Sequence, residues 1–138
     1  MIKYIHGLIT EIDDNIVTLE VNGIGYEVFV TKNAVKCLQL NKLDRVYIFH
    51  YKKDDKDLLY GFYDKDEREV FINLIGIPGI SFKRAIRIIH EFEPEQLIDI
   101  INTNNYEALE NVVNFGPATS KLIINALHRK YTEHSSNG

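Results

Sequence analysis

The first 63 residues alternate between hydrophobic and polar positions, a pattern typical of β-strands with one buried face. Asn22-Gly23 favours a tight hairpin between two such stretches, and Gly25 indicates a bulge. Thr31 can cap a short helix that reaches about Leu38. The predicted strands are residues 2–12, 16–21, 24–30, 45–51 and 58–63.

Three strands, a short helix and two further strands therefore follow one another in this segment. That order is the order of the OB-fold, a five-stranded Greek-key barrel. The alternative is a small barrel of the SH3 type, which lacks a helix at this point. The helix predicted after Thr31 favours the OB-fold.

From Asp64 onwards the hydrophobic positions recur with the helical period. Asp64 and Glu67 have the spacing of a capping box. Pro94 suits the first position of a later helix, and Asn104 or Asn105 can cap the next one. Pro117 opens the last helix, which is predicted to run to about Tyr131. The apolar face of the first of these helices is Val70, Phe71, Leu74 and Ile75.

Residues 74–89 return, in pattern, as residues 109–124. An internal repeat of this kind indicates a duplicated supersecondary unit. Each copy contains a glycine between two helices. Matched positions include Leu74 with Leu109, Ile77 with Val112, Ile80 with Phe115, and Ile88-Ile89 with Ile123-Ile124. The predicted fold class is α+β in two domains: an OB-fold barrel at 1–63 and a tandem helix-hairpin-helix domain at 64–131, with a frayed tail at 132–138.

The chemistry of such a hairpin points to an anion. Glycine permits positive φ and close approach of the backbone, and the following helix begins with N–H groups that lack intrahelical partners. Lys83 and Arg84 lie one turn into the helix that follows the first hairpin. Ile80 in the first hairpin, or Phe115 in the second, would fill the space between the two helices of its hairpin. The alternative is a plain αα-hairpin whose glycines serve packing. The presence of two such hairpins at a fixed spacing favours the binding of phosphates along a nucleic-acid backbone.

Composition narrows the choice of function. The chain has 138 residues, 45% of them hydrophobic, and a net charge of −4, so basic residues must be clustered if DNA is the partner. A single cysteine, Cys37, fits a reducing, cytoplasmic location, and no signal peptide or membrane span is evident. Without a nucleophile–base pair, a phosphate-binding loop or a metal motif, we expect no catalysis, cofactor or metal. The histidines are scattered: His6, His50, His90, His128 and His134.

Three features together resemble the RuvA family of bacterial Holliday junction-binding proteins: NGIGYEV at 22–28, LLYGF at 58–62, and paired hairpins after a DxxE-capped helix. The resemblance covers residues 1 to about 131. It implies an OB-fold and a tandem helix-hairpin-helix domain. It also implies a homotetramer with fourfold symmetry that holds a four-way junction open. A RuvB-type motor, which hydrolyses ATP, then drives branch migration in recombination and DNA repair.

The resemblance also implies DNA-binding residues in each hairpin. In the first they are Gly79, Ile80 and Ser81 with Lys83, beside the Arg84 that the helix start itself suggested. In the second they are Asn114, Phe115 and Gly116 with Ala118 and Thr119. The family pattern is glycine, apolar, glycine, so this chain departs from it at Ser81 and Asn114. It departs again at Ala118, where the pattern has a basic residue, and Pro117 lacks an N–H. We therefore expect the first hairpin to hold DNA more tightly.

A second implied feature is an acidic pin. The family places two carboxylates before LLYGF, and Asp54 and Asp55 stand there. Fourfold symmetry would gather these pins at the junction centre, where they would repel phosphate and disfavour continuous duplex. The alternative is an ordinary solvated hairpin tip. The flanking lysines, Lys52, Lys53 and Lys56, would contact phosphates or simply keep the loop soluble.

Family members carry a third, small helical domain that docks on the motor, and this chain stops at Gly138. We therefore expect junction binding to remain and coupling to the motor to be weak or absent.

Two other functions compete with junction binding. One is general binding of single-stranded or duplex DNA without junction selectivity, and the other is a protein-interaction module. Both would use the barrel's aromatic residues: Tyr26, Phe29, Tyr47, Phe49, Tyr60 and Phe62.

Overall fold

The computed structural model describes residues 1–113 and 115–136, with their side chains apart from those of Val112, Val113 and 131–136. Asn114, a predicted hairpin residue, lies outside the described residues, as do residues 137–138 of the predicted tail.

The chain divides into two compact units, Met1–Glu69 and Val70–Gly138. The division falls within the first helix after the barrel. The domain boundary near residue 63, which was placed at the change of hydrophobic period, stays a prediction.

The first unit contains the elements β1 Tyr4–Asp13, β2 Ile16–Val21, β3 Ile24–Val30, α1 Lys32–Cys37, β4 Leu43–Lys53 and β5 Lys56–Phe62. The five strands form a closed barrel in the order β1-β2-β3-β5-β4. Neighbouring strands are antiparallel except β3 and β5, which are parallel. The α1 helix lies between β3 and β4 in the chain, as the OB-fold requires. The fold class predicted from the strand order is thus confirmed.

One glycine allows the barrel to close tightly. A Cβ on Gly61 would lie 2.6 Å from Val46 Cγ1 and 2.8 Å from Val28 Cγ1. Both valines belong to the buried interior, so any larger residue at position 61 would force the strands apart. The fully buried side chains around this point include Ile9, Val17, Leu19, Val28 and Ile48.

The predicted bulge at Gly25 is wrong. The β2–β3 pairing is regular there, with Gly25 opposite Glu20, and the irregularity lies in β1 between Ile9 and Glu11. A Cβ on Gly25 would stand 3.2 Å from Thr18 Cγ2, so this glycine relieves crowding against a neighbouring strand. The bulge occurs instead in the strand that pairs with both β2 and β4 and has to bend between them.

A buried glutamate ties the start of α2 (Lys65–Ile75) to the barrel unit. Asp64 Oδ1 accepts a 2.8 Å hydrogen bond from the Glu67 N–H, as the predicted capping box requires. Glu67 is fully buried and reaches back to the N–H of Tyr63 at 3.0 Å, one residue before the cap. Its two oxygens also accept from the Thr31 hydroxyl at 2.7 Å and the Asn33 amide at 2.9 Å. The carboxylate therefore links the caps of α1 and α2.

Three later helices begin where predicted. Pro94 opens one of them after the N-cap residue Glu93, Asn105 Oδ1 accepts from the Ala108 N–H at 3.3 Å at the start of the next, and Pro117 opens the last. The last helix continues to Ser136 rather than ending near Tyr131, so most of the predicted tail is helical; no proline or glycine interrupts it before Gly138. The helices are α3 Phe82–Glu91, α4 Pro94–Asn102, α5 Tyr106–Val113 and α6 Pro117–Ser136. No helix in the ranges described is suited by length and hydropathy to cross a membrane.

Candidate nucleic-acid interface

The first hairpin, between α2 and α3, is a tight turn with an exposed glycine. The Ile80 N–H donates to the Ile77 carbonyl at 3.0 Å, with Pro78 and Gly79 between them. Gly79 has φ of 91°. Proline followed by a residue with positive φ is the requirement of a type II turn. Ile80 is 6% exposed, so its side chain is buried next to the turn.

The helix after this turn offers backbone donors to an anion. Ser81 caps α3: its hydroxyl accepts from the Arg84 N–H at 3.2 Å, and its carbonyl accepts from the Ala85 N–H at 3.0 Å. The N–H groups of Phe82 and Lys83 come earlier in the first turn, where helix geometry provides no acceptor. The Lys83 side chain is exposed beside them. Serine in place of the family's glycine therefore keeps the helix start and adds a cap.

The second hairpin, between α5 and α6, repeats this helix start. The Ser120 N–H donates to the Gly116 carbonyl at 3.1 Å, which matches the bond from Ala85 to Ser81. Gly116 has no positive φ and is exposed. Ala118 is exposed and Thr119 half-buried, so neither brings a charge to this helix start.

Burial follows the repeat as well. Three of the matched apolar pairs are buried in both copies, so at these positions the repeat seen in the sequence is also a repeat of packing. The buried pairs are Leu74 with Leu109, Ile88 with Ile123 and Ile89 with Ile124.

The two hairpins adjoin in space. The guanidinium carbon of Arg84, in α3, lies 5.3 Å from the centre of the Phe115 ring, which is within cation–π range. Phe115 is half-buried directly before Gly116. The matched helix starts are therefore brought side by side within one unit. Sequence reasoning missed this contact, because Arg84 and Phe115 are far apart in the chain and no sequence pattern indicates that they pair.

Two other lysines of the second unit have neighbours that sequence reasoning did not identify. The Lys121 ammonium lies 5.9 Å from the centre of the Tyr106 ring. The Lys130 ammonium donates to Asn73 Oδ1 at 3.3 Å and comes close to Gly76, where α2 ends before the first hairpin. Lys130 thus adds positive charge near that turn.

Asp54 and Asp55 form the two-residue turn between β4 and β5. Both are exposed, and Asp54 has φ of 54°, which aspartate tolerates better than most residues. In the described part of the chain neither carboxylate has an ion-pair partner, whereas the nearby Asp57 is paired with the His50 ring. The turn therefore presents two uncompensated carboxylates.

The barrel's aromatic residues largely engage one another. The Phe29 and Tyr60 rings stack with centres 5.6 Å apart, and Phe62 is buried. Burial, and secondarily the neighbouring Tyr51, raises the pKa of Tyr60 above its ordinary value, so this phenol stays neutral near pH 7. The stacking of Phe29 on Tyr60 and the burial of Phe62 weaken the alternative of base stacking on the barrel.

Among the residues described, no three His, Cys, Asp or Glu side chains are arranged to hold a metal.

One buried polar group in the second copy gives a test of packing. Ser120 is fully buried, and its hydroxyl has no hydrogen-bond partner within the described residues, whereas the first copy has Ala85 at the same place. We expect Ser120→Ala to raise the free energy of unfolding by about 1 kcal/mol, because an unsatisfied buried hydroxyl is removed. Ala85→Ser, the matched reversal, should lower it by a similar amount. Urea denaturation measures both, and a loss of stability in Ser120→Ala would contradict this account.

Fold and site together define a class: an OB-fold barrel joined to two adjoining helix-hairpin-helix units with exposed helix starts. Residues 1–61 match the family described as the RuvA N terminal domain. The chain is 33% identical over 124 residues to the Holliday junction branch migration complex subunit RuvA of Bacteroides thetaiotaomicron, and 35% identical to that of Bacteroides fragilis. It is 33% identical over 130 residues to the subunit of Streptococcus pneumoniae.

The Bacteroides alignments cover 90% of this chain and 62% of each relative, and the Streptococcus alignment covers 94% and 66%. The chain thus spans less than two thirds of the length of these curated relatives. Its residues 1–61 thus carry the N-terminal domain of the RuvA family, and most of the chain is similar to RuvA subunits.

Proposed function

We propose that this chain binds four-way (Holliday) DNA junctions as a homotetramer through their backbone phosphates. It holds the junction open for branch migration by a partner ATPase motor of the RuvB type, in recombination and DNA repair, and is not itself an enzyme. The relatives' name, subunit of a Holliday junction branch migration complex, supports this proposal. A cytoplasmic location is part of it, since Cys37 is an exposed free thiol that suits a reducing compartment.

The observation that carries the proposal is the contact between Arg84 and Phe115, which sets the two hairpins side by side. Each helix start offers backbone N–H groups and the positive end of a helix dipole. Two such sites next to each other suit successive phosphates of one strand. Contacts of this kind position a protein on DNA without reading its bases, as a protein that must bind any junction sequence requires.

The turn at Asp54 and Asp55 supplies the selectivity in this proposal. In a fourfold tetramer these exposed carboxylates would meet where the four DNA arms separate. They would repel phosphates that pass through this point, as the phosphates of a continuous duplex would.

Binding of single-stranded or duplex DNA without junction selectivity is the second candidate. It would place bases on the barrel's aromatic rings. The stacked pair of Phe29 and Tyr60 and the buried Phe62 disfavour it.

A competition experiment tests the proposal. A synthetic four-way junction competes with linear duplex of the same sequence in a gel shift, over a range of salt concentrations. We expect strong preference for the junction and a slope of log affinity against log salt of about −0.9 per phosphate neutralised. Equal affinity for both DNAs, or preference for single strands, would overturn the proposal.

The substitution Lys83→Ala tests whether the first hairpin is part of the DNA-binding surface. We expect it to weaken junction binding about tenfold, since it removes a charge-assisted contact at the first helix start, and to make the salt slope shallower by about 1. Lys36→Ala, which removes an exposed lysine of α1, is the matched control and should leave both quantities unchanged. Equal effects of the two variants would remove the first hairpin from the site.

A further inference from the structure

The second hairpin lacks the positive charge that the first one has. Ala118 occupies the position that matches Lys83, and Thr119 the position that matches Arg84. Pro117 opens the helix and has no N–H to offer. By its own residues the second helix start is therefore a poor partner for phosphate.

Arg84 is held at this second hairpin although it belongs to the helix of the first. Its guanidinium carbon lies 5.3 Å from the Phe115 ring centre, and its backbone N–H is fixed by the Ser81 hydroxyl. The side chain is exposed, and within the ranges described no carboxylate lies at ion-pair distance from it. The charge is thus positioned at the tip of the second hairpin and is not neutralised there.

We propose that Arg84 supplies the second hairpin with the cation that Ala118 fails to provide, so that one helix start serves both hairpins. Lys83 then binds the phosphate at the first hairpin, and Arg84 binds the phosphate at the second. The inference rests on the proposed function, since it requires that the hairpins bind DNA phosphates.

The geometry suits arginine rather than lysine. A guanidinium is planar, so it can place a face on an aromatic ring while its N–H edge binds phosphate oxygens. Phe115 orients this plane, because the ring lies next to the helix start where the phosphate would be held. A lysine at position 84 would keep the charge but lose the planar contact.

A set of combined substitutions tests this assignment by junction affinity and salt slope. We expect Arg84→Ala to weaken binding about tenfold and to make the slope shallower by about 1. Adding Ala118→Lys to Arg84→Ala should restore at least about fivefold of the loss. Ala118→Lys alone should raise affinity by clearly less than this rescue, because Arg84 already occupies the site.

Lys83→Ala is the matched control, since Lys83 is the neighbouring exposed cation of the same helix. Ala118→Lys should not rescue Lys83→Ala, because that phosphate lies at the first hairpin. An equal gain from Ala118→Lys in all three backgrounds would overturn the inference, since an added charge would then act without specificity. So would an Arg84→Ala variant that binds like the unsubstituted chain.

Phe115→Leu keeps an apolar tip and removes the aromatic face. We expect it to weaken binding about two- to fivefold, which corresponds to the usual strength of an exposed cation–π contact. In the Arg84→Ala background it should have no further effect, and a further loss would contradict the coupling. The proposed function fails separately, if the unsubstituted chain shows no junction preference and Lys83→Ala has no effect.

Discussion

Replacing both Asp54 and Asp55 by asparagine is expected to raise the affinity for linear duplex about tenfold and to change junction affinity much less. Both carboxylates are exposed at the β4–β5 turn and lack ion-pair partners within the described residues. A unit charge about 4 Å from a phosphate costs about 1 kcal/mol in water, so two of them could account for about 30-fold. Screening by salt at these exposed positions reduces the expected effect to about tenfold. A competition gel shift of the two DNAs measures the change in selectivity.

Asn15 and Asp14 form a similar turn between β1 and β2, and Asp14 also has positive φ, at 56°. Asp13→Asn with Asp14→Asn is therefore the matched control, since it removes the same charge from the same kind of hairpin. We expect it to leave selectivity unchanged. If both double variants relax selectivity equally, the effect comes from net charge, and the turn at Asp54 is not a pin.

Glu67→Ala is expected to lower the free energy of unfolding by about 3 kcal/mol. The side chain is fully buried, and its loss leaves the Thr31 hydroxyl and the Asn33 amide without their carboxylate acceptor. The Tyr63 N–H loses its acceptor too. Each buried group left unsatisfied costs about 1–3 kcal/mol, and partial access of water reduces the sum. Chemical denaturation of the purified protein measures the change.

Glu69→Ala is the control, because Glu69 is exposed in the same helix and should change stability by less than about 0.5 kcal/mol. Glu67→Gln should lie between the two, since the amide keeps one acceptor oxygen of the three-donor cluster. A Glu67→Ala variant as stable as Glu69→Ala would show that the buried hydrogen bonds contribute nothing net.

Several features of this chain could be predicted because they depend on neighbouring residues. Strand alternation, the Asn22-Gly23 turn and the Thr31 cap are local requirements of the backbone, and the structure has them where expected. The same holds for Pro94 at the first position of α4. The hairpin repeat was visible because the same apolar spacing occurs twice. The DNA-binding roles of the hairpin residues and of Asp54 and Asp55 stay predictions.

Other features were out of reach because they join residues far apart in the chain. The misplaced bulge at Gly25 shows this: a strand glycine indicates either a bulge or a close approach, and only the position of Thr18 decides which. Glu67 was expected to serve its own helix, yet most of its bonds go elsewhere.

The sequence by itself determined which segments are strands and helices, where most of them begin, and that two hairpins repeat. These properties follow from backbone preferences and side-chain period, which act over a few residues. The tertiary structure alone decided the parallel pairing that closes the barrel, the burial of Glu67 and the placement of Arg84 on Phe115. Such contacts depend on where distant segments pack, and the same local pattern is compatible with many packings.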